Sequence, residues 1–169
     1  MIALKRILVA TDFGEASAAA LAYGRELARR FDGQVYVLNA ADDLLARIIG
    51  VDQYGVAFPE LQQGLEQAAR DQMAALLKQE VPPDIEARGV TVTSAAPAQA
   101  IIDFAQAEKI DLIVMGTHGR GAVAHLLMGS VAEKVVRLAP CPVLTVRSPE
   151  RDFVKPEALQ AVARSRSPA

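Results

Sequence analysis

Five short apolar runs alternate with amphipathic stretches, and this order limits the fold more than any other feature of the chain. "RILVA" (6–10), "QVYVLNA" (34–40), "GVTVTSA" (89–95), "DLIVM" (111–115) and "VLTVR" (143–147) each read as a strand. Runs without polar interruption suit strands covered on both faces. Between them the period becomes helical. Residues 15–31 put Ala20, Leu21, Gly24, Leu27, Ala28 and Phe31 on one face, and "FDG" (31–33) ends that helix with Gly33 suited to a left-handed cap. Residues 41–59 have no clean period and read as a loop with room for a short helix. A helix follows over 60–80, with Leu61, Leu65, Ala68, Ala75 and Leu76 as its core positions, until "VPP" stops it. "PAQAIIDFAQAEK" (97–109) opens on a proline and aligns Ala98, Ile101, Ile102 and Ala105. A last helix spans 129–139, and "APCP" breaks the chain before the final strand. Parallel strands need crossovers, so this alternation predicts an α/β fold, a parallel sheet between helical layers. No repeat divides the chain. One domain over 1–147 is expected, with a tail over 148–169 in which "PEALQAVAR" can form a short helix.

Composition narrows the partners. The chain has 169 residues, 51% of them hydrophobic but only 5% aromatic, so Ala, Val, Leu and Ile must fill the core. A net charge of −2 gives no electrostatic reason to expect nucleic acid or an anionic membrane. No apolar run approaches the ~20 residues that span a bilayer, and the start "MIALKRILVATD" is too short in apolar residues for a secretory signal. The single cysteine, Cys141, excludes an intrachain disulfide. A cytoplasmic protein is expected.

The fourth strand runs into "MGTHGRGAVAHLLMGS" (115–130), with Gly116, Gly119, Gly129 and Ser130 spaced G-x2-G-x9-G-S. Glycines let main-chain N–H groups approach a ligand closely, and successive N–H groups form an anion-binding concavity. The helix beginning at 129–130 adds its unpaired N–H groups and positive dipole end. Ser130 can cap that helix or donate its hydroxyl to a phosphate. A purely structural turn is the alternative. The Walker A pattern is absent, and no lysine lies in the loop. "GRGAVA" (119–124) matches G-x-G-x-x-A, but the following strand ends in Thr145, Val146 and Arg147, without the acidic residue of a dinucleotide site.

With this motif go "KRILVATDFGEAS" at the start, "PAQAIIDFAQAEKIDLIVMGTHG" in the middle and "SVAEKVVRLAPCPVLTVR" after it. Together these blocks closely resemble the universal stress protein family, in its ATP-binding branch, over nearly the whole chain up to Arg147. The resemblance implies a three-layer sandwich with a five-stranded parallel sheet in order 3-2-1-4-5, the adenine nucleotide alpha hydrolase-like fold. In that order the ends of strands 1 and 4 meet at a ligand crevice. It implies nucleoside contacts from Ala10, Thr11 and Asp12, with Asp12 on ribose hydroxyls or assisting a metal; a helix cap is the other role open to that carboxylate. Ala40, where the family often has valine, would read the adenine edge through its main chain, and Asn39 stands where histidine is frequent. Met115, Gly116, Thr117, His118, Gly119, Arg120 and Gly121, with Gly129, Ser130 and Val131, would line ribose and phosphates. Arg120 can add charge at the outer phosphates or be solvated, and His118 can reach a phosphate or simply be exposed. His125, Arg137 and Cys141 read as structural.

The implied ligand is ATP, with AMP or ADP as alternatives, accompanied by Mg2+ or Mn2+. Hydrolysis would be slow at most, since no Walker B acid or water-orienting Gln or Glu can be placed beside the loop. The implied function is a nucleotide-dependent regulatory module in stress response. Its alternative is a dimeric adaptor in which nucleotide is absent or only structural. Family members dimerise through the fifth strand, so residues 142–147 are the expected pairing edge.

Overall fold

A computed structural model of the chain describes residues 2–43, 46, 58–117 and 128–147. The strands are β1 (Arg6–Ala10), β2 (Gln34–Asp42), β3 (Ala87–Ser94), β4 (Leu112–Gly116) and β5 (Val143–Val146). The helices are α1 (Glu15–Phe31), α2 (Phe58–Glu80), α3 (Pro97–Ala107) and α4 (Ser130–Leu138). All neighbouring strands run parallel, in the order β3-β2-β1-β4-β5. The fold is the one expected from the sequence. The expected loop over 41–59 is shorter than read, because 41–42 extend β2 beside β3 and 58–59 open α2, and most of the rest lies outside the described residues, as does the whole tail over 148–169.

Strand alternation divides the core in two. Ile7, Val9, Val35, Val37 and Val114 face α1 and α2, while Leu8, Tyr36, Leu38, Ile113 and Met115 face α3 and α4. β1, at the centre, is buried from Ile7 to Ala10. Helix α1 lies close over it because Gly24 carries no Cβ, which would overlap Val9 Cγ2. On α3 the four predicted core positions are all buried.

Helix α2 is turned by about one residue from its expected face. Leu61 and Leu65 are exposed at 52% and 40%, and Ala68 and Ala75 are exposed too, whereas Gln62, Ala69 and Met73 are buried. Leu76 is half-buried, as part of the true face. The contact with β3 sets this rotation. A Cβ on Gly89 would stand 2.6 Å from Met73 Cγ and 2.9 Å from Leu77 Cδ1, so these two side chains occupy the space a larger residue would take. Polar Gln62 is admitted because its amide donates to Asp42 O at 3.3 Å and Glu66 Oε1 at 3.2 Å.

The end of α1 also differs from expectation. Asp32, not Gly33, takes the left-handed cap, at φ 50° and ψ 54°, a conformation Asp tolerates better than most residues. Gly33 is needed for another reason: a Cβ there would overlap Leu4 O.

Candidate functional site

The sheet reverses its winding between β1 and β4. Chain connections leave these two strand ends in opposite directions, which opens a crevice beyond them. The pair Ala10–Met115 closes the β1–β4 ladder at its mouth. Residues 10–12 and 115–117 therefore stand side by side, although about a hundred positions separate them in sequence.

The β1 exit is a tightly bonded turn. Thr11 N–H donates to Leu38 O at 2.8 Å, and Thr11 Oγ1 accepts from Phe13 N–H at 2.9 Å while donating to Ser17 Oγ at 3.1 Å. Ser17 Oγ closes the circuit by donating to Gly14 O at 2.9 Å and accepting from Gly14 N–H at 3.1 Å. Asp12 Oδ1 also accepts from Gly14 N–H, at 3.0 Å. Asp12 is therefore not the cap of α1: Gly14 is its N-cap, without a side-chain cap bond, and Asp12 closes a turn on the Gly14 N–H just ahead of the helix. Phe13 sits at φ 62°, a left-handed backbone that a bulky residue adopts only when its surroundings hold it there. Sequence reasoning did not single out Phe13 or Ser17; a serine three residues after Gly14, in the first turn of the helix, was the available signal for the second.

Across the crevice, Met115 is 4% and Thr117 7% exposed, with Gly116 half-buried between them. A Cβ on Gly116 would come within 2.8 Å of Ala16 Cβ and 3.0 Å of Ala16 C, so this glycine first serves the approach of α1 to β4. Thr117 N–H donates to Val146 O at 2.8 Å, and Thr117 O accepts from Gly129 N–H at 2.7 Å. The two ends of the glycine motif therefore meet. Gly129 is the N-cap of α4, with no side-chain cap bond, and Ser130 is the first helical residue. Ser130 is exposed and does not cap, contrary to one of its two expected roles. The N–H groups of Ser130, Val131 and Ala132 precede the first intrahelical bond, Glu133 N–H to Gly129 O at 2.9 Å. His118, Gly119, Arg120, Gly121 and His125 lie outside the described residues.

The third wall is β2. Leu38 bonds toward β1, so the alternation of a parallel ladder turns the N–H and C=O of Ala40 to that side as well. The β1–β2 ladder stops at Ala10–Leu38, while β2 continues with β3 as far as Asp42–Ser94. Ala40 consequently offers a donor and an acceptor beyond the last rung. At the outer rim, Thr93 Oγ1 donates to Glu66 Oε1 at 2.8 Å. This bond, followed by the Gln62 bond and the Arg70 charge, holds the Glu66 carboxyl below its ordinary range.

Among the described residues no group of three His, Cys, Asp or Glu could hold a metal ion. Cys141 is half-buried against the α3–α4 core, and burial pushes its thiol pKa up. At the opposite end of the sheet a cleft of about 420 Å³ is lined by Lys5, Arg6, Arg29, Asp84 and Glu86, among others. Its cations are engaged within the chain: Lys5 with Asp32 at 3.1 Å, Arg29 with Glu26 at 2.6 Å and Asp84 at 3.2 Å, Arg6 with Glu108 O at 2.7 Å.

Comparison with known proteins decides the family. The universal stress protein family model matches residues 3–147. The chain belongs to the universal stress protein family. A universal stress protein of Thermus aquaticus is 37% identical over 145 residues, covering 85% of this chain and 98% of its own. The solved structure of hypothetical protein MJ0577 is similar at a TM-score of 0.70 and 27% identity, covering 89% of this chain and all of that one. A universal stress protein solved in complex with cAMP shares the fold at a TM-score of 0.55 and 22% identity, over 86% of this chain and 98% of its own. No described helix is long and apolar enough to cross a membrane.

Proposed function

We propose that this universal stress protein binds ATP, or a related adenine nucleotide, at the β1–β4 crevice and acts as a nucleotide-dependent regulatory module. The observation that carries the reading is the convergence of three main-chain features: the Thr11–Gly14 turn, the joined ends of the glycine motif at Thr117 and Gly129, and the strand edge at Ala40. Main-chain N–H groups at a helix start suit phosphate oxygens. A paired N–H and C=O suit the ring nitrogen and amino group of adenine. Ala10, Thr11 and Asp12 would then face the nucleoside. Met115, Gly116 and Thr117 would line ribose and phosphates from one side, and Gly129, Ser130 and Val131 from the other. The proposal extends to His118, Gly119, Arg120 and Gly121.

Mg2+ or Mn2+ would enter with the phosphates, because a small hard cation is satisfied by phosphate oxygens and water with one or two carboxylates. Asp12 is the nearest carboxylate to that role by position in the fold. The ion would neutralise phosphate charge. Hydrolysis is slow at most, since in-line attack needs groups the sequence does not supply beside the loop. Among the described strands β5 is an edge of the sheet, and pairing two copies through residues 142–147 would cover it.

A thermal shift tests the proposal. Ligand at 100 times its Kd stabilises a native state by about 2.7 kcal/mol, which for a domain of this size is roughly 5–11 °C. ATP should raise Tm by that order, and mass spectrometry of the purified protein should find an adenine nucleotide. No shift with ATP, ADP, AMP or cAMP would refute the reading. That outcome would favour a dimeric adaptor, for which Leu61 and Leu65, exposed one helical turn apart on α2, provide contact surface.

A further inference from the structure

Asn39 is 7% exposed, and its Nδ2 donates to Thr11 O at 2.9 Å. A main-chain carbonyl only accepts, so the contact fixes the amide with its nitrogen toward Thr11. In a parallel ladder, the strand residue that bonds Thr11 N–H through its carbonyl is followed two positions later by the residue whose N–H would bond Thr11 O. Leu38 is the first of these residues. Ala40 is the second. Were β1 and β2 to run on by one more rung, Ala40 N–H would be spent on Thr11 O. The ladder instead ends at Ala10–Leu38, and the Asn39 side chain takes the carbonyl.

We infer that Asn39 is a positioning residue for base selection: by satisfying Thr11 O it keeps the Ala40 N–H directed into the crevice for a purine ring nitrogen. This inference rests on the nucleotide reading above and adds to it the device that makes the base edge available. Two requirements meet in one side chain. A nearly buried Thr11 carbonyl must be bonded, and the bond must not come from the strand amide that faces the ligand. An amide-bearing side chain at position 39 meets both, because residues on either side of Leu38 in β2 project from the same face as the Thr11 hydroxyl and Ser17. Asn39 touches no proposed ligand atom. It acts through Thr11 and Ala40.

The device predicts a selective defect. Adenine presents an acceptor at its ring nitrogen and a donor at its amino group, and hypoxanthine presents the reverse. Ala40 can therefore distinguish ATP from inosine triphosphate only while its N–H stays available. Asn39→Leu removes the donor, and Asn39→Asp replaces it with an acceptor that repels Thr11 O. In both variants Thr11 O should recruit Ala40 N–H. Loss of one such bond is worth about tenfold in discrimination.

Titration calorimetry with ATP and inosine triphosphate, on wild type, Asn39→Leu, Asn39→Asp and Asn39→His, measures the ratio directly. The ratio should fall about tenfold in the first two variants and be retained by histidine, which keeps an N–H donor. A purely structural defect would weaken both nucleotides alike and leave the ratio unmoved, and that result overturns the inference while the nucleotide reading stands. Amide hydrogen exchange at Ala40 in the ligand-free chain tests the device without any nucleotide. Fast exchange in wild type and slowed exchange in Asn39→Leu support it; a wild-type Ala40 amide already as protected as its β2 neighbours refutes it. Wild type that binds neither nucleotide would bring down the nucleotide reading, and the proposed selection with it.

Discussion

Replacing Gly116 by alanine separates the packing role of this glycine from any ligand role. The position has no left-handed backbone, so alanine is conformationally admissible and, in open space, would stabilise by about 0.4–1 kcal/mol through the unfolded chain. The surroundings reverse that sign. The added Cβ would lie 2.8 Å from Ala16 Cβ, 3.0 Å from Ala16 C and 3.2 Å from Ala16 O, against ~3.5–4.0 Å for carbon atoms in contact. Two of these three neighbours are backbone of the first α1 turn, so rotamer changes cannot relieve the overlap; the turn must move. Overpacking of this kind costs roughly 1–3 kcal/mol, or about 2–12 °C in Tm for a domain of this size. Ala16→Gly removes the nearest atom only, so the double variant should recover part of the loss, with a coupling of at least ~0.5 kcal/mol. Urea unfolding of the two single variants, the double variant and wild type completes the cycle. A neutral or stabilising Gly116→Ala, or strictly additive energies, would refute the packing argument.

Asp12→Ala should cost at most about 1 kcal/mol, because it removes one of two acceptors of Gly14 N–H and leaves Ser17 Oγ, whereas Asp12→Asn keeps both bonds and should lose nucleotide affinity without losing stability; calorimetry and urea melts of both variants check this. The Glu66 carboxyl is held below its ordinary value of 4.5, so its contribution to stability is full above that pH and fades as pH falls through the folded value. Glu66→Gln should therefore flatten the acid limb of the stability curve, and an unchanged limb would show that Thr93 and Gln62 give the carboxylate nothing. Because burial raises its thiol pKa, Cys141 should alkylate with iodoacetamide more slowly in the native chain than in urea, and equal rates would contradict its placement against the core.

The alternation of strands and helices was legible from apolar runs and helical periods, while the strand order came from the resemblance to the family. α1 spans the same residues in sequence and structure, and the α3 face was read correctly from Ala98, Ile101, Ile102 and Ala105. α2 was misread because two helical stripes compete there. One contains Leu61 and Leu65; the other contains Gln62, Glu66, Ala69 and Met73. Hydropathy favours the first. Gly89 across the interface and the carbonyl of Asp42 decide for the second, and both are tertiary facts. At the crevice, sequence placed Thr11, Asp12, Gly116 and Gly129 through the fold's strand order. It noted Asn39 without giving it a role, because a side chain that bonds a neighbouring strand's carbonyl leaves no periodic trace.

Main-chain amides at the fork of β1, β2 and β4 are the center of this account, and amide chemical shifts followed during an ATP titration test it most directly. The account predicts that the largest shifts fall on Thr11, Ala40, Thr117 and Gly129 through Val131. Shifts confined to the opposite cleft, around Arg6, Arg29 and Asp84, or no shifts at all, would contradict it.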